Sequence, residues 1–277
     1  MLTEKIDLYE YFKLPRPENG AGYLTAVIHD QSAEYCLLRV RPAMLVIGGG
    51  GYSYVSAREQ EPVALEYINE GFNTFILDYS CKPVTFPAQL IEGCMATVYI
   101  RENAEKYRID PEEVAAIGFS AGGHCLGLLA FMYDAEEVKA ALGEKYKLAK
   151  LDAAIFSYAV ITSGEKAHRG SIDNVSGGDK NLVERLSLEN RVTPSAPPAF
   201  IWCTENDSCV PSENSLYLAL AYRKCGVPYE LHVFENGPHG LSTATEEVNE
   251  ANPAVAKWVK LSLTWLKNRG FKIKNVK

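Results

Sequence analysis

Six short apolar runs, Ala43–Ile47, Phe72–Leu77, Val114–Ile117, Ala153–Ala159, Ala199–Trp202 and Glu230–Phe234, recur along the 277-residue chain without strict period-two patterning. A strand covered on one face alternates apolar with polar positions, whereas a strand covered on both does not, so these runs read as strands sandwiched between layers. Helical patterns separate them. Ile91, Cys94, Met95, Val98 and Glu102 keep i, i+3, i+4 spacing, and Leu216, Leu220 and Lys224 repeat the theme. Strand and helix in alternation predict an α/β fold, a mostly parallel central sheet with helices on both faces. At 47% apolar residues the chain can fill one sizeable core, and a single domain over residues 1–277 is expected. The stretch from Ile161 to Pro198, rich in Ser, Gly, Asn and charge, breaks the rhythm. It predicts an excursion from the sheet, a lid or insertion at about 161–198, beyond the carboxyl end of a strand where ligands bind. A surface insertion with no part in binding reads equally well.

Charge and cysteine content exclude several classes. With 28 Lys and Arg against 35 Asp and Glu the formal charge is −7, which argues against a nucleic-acid partner, and the Lys-rich tail Lys267–Lys277 reads as a solvated terminus. Met1–Asn19 lacks the apolar core of a signal peptide, and no run approaches the ~18 apolar residues of a membrane helix, so a cytoplasmic protein with no membrane partner is expected. The seven cysteines (Cys36, Cys81, Cys94, Cys125, Cys203, Cys209, Cys225) are odd in number and form no CxxC pair. They read as reduced core thiols rather than as disulfides or a metal site.

Chemistry concentrates in two glycine-rich segments, each directly after a predicted strand. Gly118-Phe119-Ser120-Ala121-Gly122 has the GxSxG form, which holds a serine exposed on a sharp turn between strand and helix. Gly122–Ala130 then reads as a buried helix whose start offers the N–H of Ala121 to an oxyanion. Gly48-Gly49-Gly50-Gly51 follows Ala43–Ile47 and would bring further N–H groups close to a ligand. A phosphate loop needs Gly-Lys-Ser/Thr, which Tyr52-Ser53-Tyr54 does not supply. A dinucleotide loop would need GxGxxG and a ribose-binding acid; Asp78 closes the next strand and is read instead as ordering the loops around the glycines.

A serine nucleophile needs a base, and five histidines are available. His29 ends an early strand, His168 lies in the irregular excursion, His232 sits inside a strand pattern, and His124, four residues after Ser120, reads as packing or polar support. His239, in Asn236-Gly237-Pro238-His239-Gly240, follows the strand Glu230–Phe234. The acid that holds such a base reads as Asp207, after the strand Ala199–Trp202, with Glu205 its nearest rival. Ser120, Asp207 and His239 thus come in the order Ser, Asp, His, each on a loop after a strand.

Ile109-Asp110-Pro111-Glu112, the segment Gly118–His124, Pro197-Pro198-Ala199-Phe200, Asp207 with Val210-Pro211, and Gly237-Pro238-His239-Gly240 together resemble the α/β-hydrolase esterases. Within them the chain is most similar to small carboxylesterases related to acetylxylan esterases and hormone-sensitive lipase, from about Pro42 to the C-terminal helix. The resemblance implies an α/β-hydrolase fold, hydrolysis of short acyl esters, often acetyl groups on sugars, and no metal or organic cofactor. Catalytic Ser120, Asp207 and His239 would be served by an oxyanion hole of Ala121 with Gly49 and Gly50, and Gly51 and Tyr52 are candidates for the substrate pocket. For Tyr52, as for Tyr54 and Phe86, packing is the plainer role. One departure is visible: Gly48 stands where the family carries a histidine, which leaves the choice among Gly49, Gly50 and Gly51 open. A prolyl-oligopeptidase-like peptidase and a non-catalytic binder on the same scaffold are the alternative readings, and a homo-oligomer stays open.

Overall fold

The computed structural model of the chain describes residues 1–32, 34, 35, 38–248 and 250–276; Cys36 and Lys277 lie outside the described residues. The described strands are β1 (Leu2–Asp7), β2 (Tyr23–Ile28), β3 (Leu38–Ile47), β4 (Asn73–Asp78), β5 (Ile109–Phe119), β6 (Ala153–Ser157), β7 (Ala199–Thr204), β8 (Tyr229–Phe234) and β9 (Lys274–Val276). They lie in the order β1-β2-β4-β3-β5-β6-β7-β8, with β9 pairing off this path against the start of β3. The six apolar runs are β3 to β8, and all their mutual pairings are parallel. The antiparallel additions, β1, β2 and β9, extend the pattern read from sequence.

Residues along β3 explain why the apolar runs do not alternate with polar ones. Ala43, Leu45 and Ile47 enter one core cluster with the helices Ala88–Glu102 and Ala121–Met132. Met44 and Val46 enter a second cluster, on the other side, with the helices Glu61–Asn69 and Lys257–Asn268. Both faces are apolar because both are covered. The helix Ala121–Met132 is buried along its whole length, which is why its sequence shows no polar stripe.

Strand order locates the functional end of the sheet. From β3 the chain moves outward to β4, then crosses back to β5 on the opposite side of β3. The connections leaving β3 and β5 therefore diverge, and a crevice opens at the carboxyl ends of these two strands, where α/β sheets bind ligands. Both glycine-rich segments begin there. Between β6 and β7 the chain leaves the sheet through the helices Arg169–Ser176 and Lys180–Arg185 and a short turn at Leu188–Asn190. Leu186 and Leu188 anchor this excursion in the first core cluster.

One ionisable group lies deep in that core. Glu92 accepts hydrogen bonds from the Tyr9 hydroxyl (2.9 Å), the Ser80 N–H (2.7 Å) and the Ser80 hydroxyl, so it fastens the N-terminal helix Leu8–Phe12 to the end of β4. Burial pushes its carboxyl from an ordinary value of 4.5 up to about 7, against the lowering effect of these donors. Between those two pH values the folded chain holds a proton that the unfolded chain has lost, so this group's contribution to stability falls as pH rises through the window. The Glu92→Gln variant removes the titration. It should gain on wild type by up to about 3 kcal/mol between pH 5 and pH 8 in urea unfolding, and a difference independent of pH would contradict the assignment.

Candidate active site

The serine of the GxSxG segment sits in a backbone conformation that few non-glycine residues adopt, φ 51° and ψ −121°, between the end of β5 and the first residue of the helix Ala121–Met132. Such a conformation costs about 1–3 kcal/mol and persists only where neighbours enforce it. Here they do. The Ser120 N–H donates to the Ser157 carbonyl at 3.0 Å, and its carbonyl accepts from Val160 N–H at 3.0 Å, both at the end of β6. Gly122 brings the helix onto the end of β3 so closely that a Cβ there would lie 2.3 Å from the carbonyl oxygens of both Ile47 and Gly48.

The glycine loop after β3 is pinned group by group. The Tyr79 hydroxyl donates to the Gly48 carbonyl at 2.9 Å, so the residue after Asp78, rather than Asp78 itself, orders this loop. Gly49 N–H donates to Glu59 Oε2 at 2.7 Å. An N–H already bound to a buried carboxylate cannot also serve an oxyanion, and Gly49 is removed from the expected donors. Gly50, at φ 117°, lines the cavity above Ser120. Its N–H and that of Ala121 have no hydrogen-bond partner among the described residues.

His239, on the loop after β8, lies between the two other polar residues. Its Nε2 is 2.8 Å from Ser120 Oγ and its Nδ1 is 2.6 Å from Asp207 Oδ2. A carboxylate only accepts, so Nδ1 carries the proton and Nε2 is left to accept from the serine hydroxyl. The Asp207 side chain is fully enclosed, and its other oxygen accepts the N–H groups of Cys209 and Val210, both at 2.9 Å. Glu205 is exposed and takes no part. The Tyr158 ring stands edge-on to the His239 imidazole with centroids 5.0 Å apart.

A cavity of about 290 Å³ opens over this chain, lined among others by Gly51, Ser53, Tyr54, Arg58, His168 and Asn174. The excursion supplies a wall of it: Asn174 Nδ2 donates to the Gly51 carbonyl at 2.8 Å and to Ser53 Oγ at 3.0 Å. Tyr52 is not in the pocket. Its positive φ of 57° turns the side chain into the core, where it is fully buried and its hydroxyl bonds His124 Nδ1 at 2.8 Å. Phe86 is likewise buried, whereas Tyr54 lines the cavity. His124 donates through Nε2 to the Leu186 carbonyl at 2.9 Å, and burial holds its pKa down to about 4, so it is a neutral bridge between glycine loop and excursion. Burial, helped by the nearby His239, also lowers His168. Of the six described cysteines, all free, Cys94, Cys125 and Cys203 are buried, but Cys209 is exposed at the cavity. Among the described residues no group of three His, Cys, Asp or Glu is arranged to hold a metal ion, and no helix is long and apolar enough to cross a membrane.

The sheet and the crevice at β3 and β5 define an α/β-hydrolase fold. Residues 38–222 match the BD-FAE family model, and the chain belongs to that family. It is 40% identical over 214 residues to Endo-1,4-beta-xylanase B of Butyrivibrio fibrisolvens, a match that covers 75% of this chain and 33% of that protein. The chain spans between a third and a half of the length of curated relatives of this kind. Solved structures match over nearly their full length. The acetyl ester-xyloside bifunctional hydrolase of Caldicellulosiruptor lactoaceticus superimposes with a TM-score of 0.79 at 35% identity, covering 90% of this chain and 89% of that one. The carboxylesterase Cest-2923 of Lactobacillus plantarum WCFS1 does so with 0.82 at 26% identity, covering 98% and 99%.

The Gly122 contact yields a test of the turn. A methyl group there meets backbone on two sides, where nothing flexible can give way, so Gly122→Ala should lose at least the ~1–3 kcal/mol typical of overpacking. Urea unfolding measures it, and wild-type stability in this variant would refute the crowding at Gly122.

Proposed function

We propose that the chain is a serine carboxylesterase that removes small acyl groups from hydroxyl-rich alcohols, acetylated carbohydrates in particular. The observation that carries this reading is the continuous hydrogen-bonded line Ser120–His239–Asp207 beside two unpartnered N–H groups, those of Gly50 and Ala121. His239 Nε2 takes the Ser120 proton as Oγ attacks the ester carbonyl, and the carbonyl oxygen, now anionic, accepts from Gly50 and Ala121. His239 then gives the proton to the leaving alcohol. A water, deprotonated by the same nitrogen, attacks the acyl-serine and releases the acid. Asp207 keeps the proton on Nδ1 throughout and stabilises the imidazolium formed in each half.

Cavity size and chemistry support the substrate class. At about 290 Å³ it lies at the lower edge of small-molecule pockets, room for a short acyl group and one ring rather than a long chain. Ser53, Arg58, His168 and Asn174 around it offer hydrogen bonds to hydroxyl groups. The match to a hydrolase of acetyl esters and xylosides points the same way. Free buried thiols fit a cytoplasmic home.

Wild type should hydrolyse p-nitrophenyl acetate, at least tenfold faster than the octanoate, and should release acetate from acetylated xylose while leaving a dipeptide amide intact. An inert wild type would sink the esterase reading and favour a binder; cleavage of the amide would favour a peptidase. Ser120→Ala should leave only background turnover, and Asp207→Asn, which permits the wrong imidazole tautomer, should lower kcat about 10³–10⁴-fold. Near wild-type kcat in either variant would refute its assigned role.

A further inference from the structure

We infer that Glu59 is a positioning residue that sets the direction of the oxyanion-binding N–H of Gly50 and locks it to the loop that carries His239; this rests on the esterase reading above. Glu59 ends a short turn, Ala57–Glu59, just after the glycine loop, and is 2% exposed. Both of its carboxylate oxygens are committed. Oε2 accepts Gly49 N–H at 2.7 Å, and Oε1 accepts the Tyr158 hydroxyl at 2.7 Å. Tyr158 in turn lies edge-on to His239, and its hydroxyl oxygen accepts the N–H of Ser242, three residues beyond that histidine. A single buried carboxylate therefore spans the glycine loop after β3, the residue after β6 and the histidine loop after β8.

The effect on Gly50 follows from peptide geometry. Gly49 is held at both ends, its N–H by Glu59 and its carbonyl by Ser56 N–H at 2.9 Å. In a planar trans peptide the Gly50 N–H points opposite to the Gly49 carbonyl, so fixing that carbonyl fixes the donor. Four consecutive glycines have no intrinsic preference that would do this, because glycine samples positive and negative φ with similar ease. Room for the arrangement is tight: a Cβ on Gly49 would lie 2.8 Å from Glu59 Oε2 and 2.9 Å from Ser120 Cβ. Without the carboxylate Gly49 keeps only the bonds to the carbonyls on either side, from Tyr79 to Gly48 and from Ser56 to its own, and loses the one that sets its rotation between them, so the Gly50 donor is less firmly directed although Ser120, His239 and Asp207 stay in place.

The test separates positioning from folding. Glu59→Ala and Glu59→Gln are compared with wild type for kcat and KM on p-nitrophenyl acetate and for inhibition by phenylboronic acid, whose tetrahedral adduct on a serine puts an oxygen where the oxyanion forms. Melting followed by circular dichroism confirms that each variant is folded. Glu59→Ala should lose about 10²-fold in kcat, the scale of one oxyanion donor, with KM within about threefold and a parallel loss of boronate affinity. Glu59→Gln keeps an acceptor for Gly49 N–H but cannot also accept from Tyr158, and should fall between the two. A folded variant with wild-type kcat, or one that loses kcat while boronate binds as before, overturns the proposal; if Glu59→Ala does not fold, Glu59→Gln decides. An inert wild type would overturn the esterase reading and this proposal together, whereas an active wild type with unaffected Glu59 variants overturns this proposal alone.

Discussion

The contact that the rest of the site depends on is steric: the first turn of the helix Ala121–Met132 lies against the end of β3 with no side chain between them. Gly122 permits it, and Ile47 and Gly48 present bare carbonyls to it. That closeness forces the abrupt change of direction at Ser120, whose positive φ would otherwise relax. It also brings the glycine loop alongside the serine, because the loop starts at the residue being touched. Ser120 and the glycine loop are neighbours as a consequence of how a helix packs on a sheet at its topological switch point. A Cβ at this one contact would lie 2.3 Å from two backbone carbonyl oxygens and would push helix and loop apart.

Polar groups then supply the accuracy that packing alone cannot. Apolar contacts are non-directional, so a core of Leu, Val and Phe can hold the strands together without fixing the rotation of any peptide in a loop. Buried hydrogen bonds are directional and costly to break when no water can replace them. In this chain they are placed where loops leave strands: Tyr79 on Gly48, Glu59 on Gly49, Asn174 on Gly51, Asp207 on Cys209 and Val210. Each links a loop near the cavity to a rigid element or to another loop. Among the described residues the N–H donors of Gly50 and Ala121, beside the cavity, are left without a partner, so the network stops short of the cavity there.

This division explains what the sequence made legible. Strands β3 to β7 are visible because burial on both faces writes continuous apolar runs, whereas β8, exposed or half-buried throughout, shows only as a short run, and the order Ser120, Asp207, His239 is visible because each residue follows one of these runs. Strands β1 and β9 are not. Most of β1 is exposed or half-buried, and β9 has three residues, so neither carries a burial signal. Glu59 and Tyr158 escape notice for a different reason. A buried carboxylate in Ser56-Ala57-Arg58-Glu59 has the same letters as a solvated turn, and only the three-dimensional approach of β6 and the histidine loop reveals its partners. Gly49 and Tyr52 mislead similarly, since neither the direction of an N–H nor the inward turn imposed by a positive φ is encoded in composition or spacing.

The cavity draws its walls and its reactive groups from different parts of the chain. Ser120, His239 and Asp207 stand on loops from β5, β8 and β7, held by the sheet, while His168 and Asn174 come from the excursion between β6 and β7. The excursion is joined to the glycine loop by Asn174 and, through Leu186 and His124, to Tyr52. Substitutions on its inner surface can therefore alter the hydrogen bonds offered into the cavity without moving the serine. The reverse does not hold. His124 belongs to the helix that begins at the serine and carries no charge at neutral pH, so its bond to the Leu186 carbonyl fixes the wall relative to Ser120 whatever the pH above about 4. The side chains on the inner surface of the excursion are in this way free to vary, while the distance between that wall and Ser120 is set by a buried, unionised bridge.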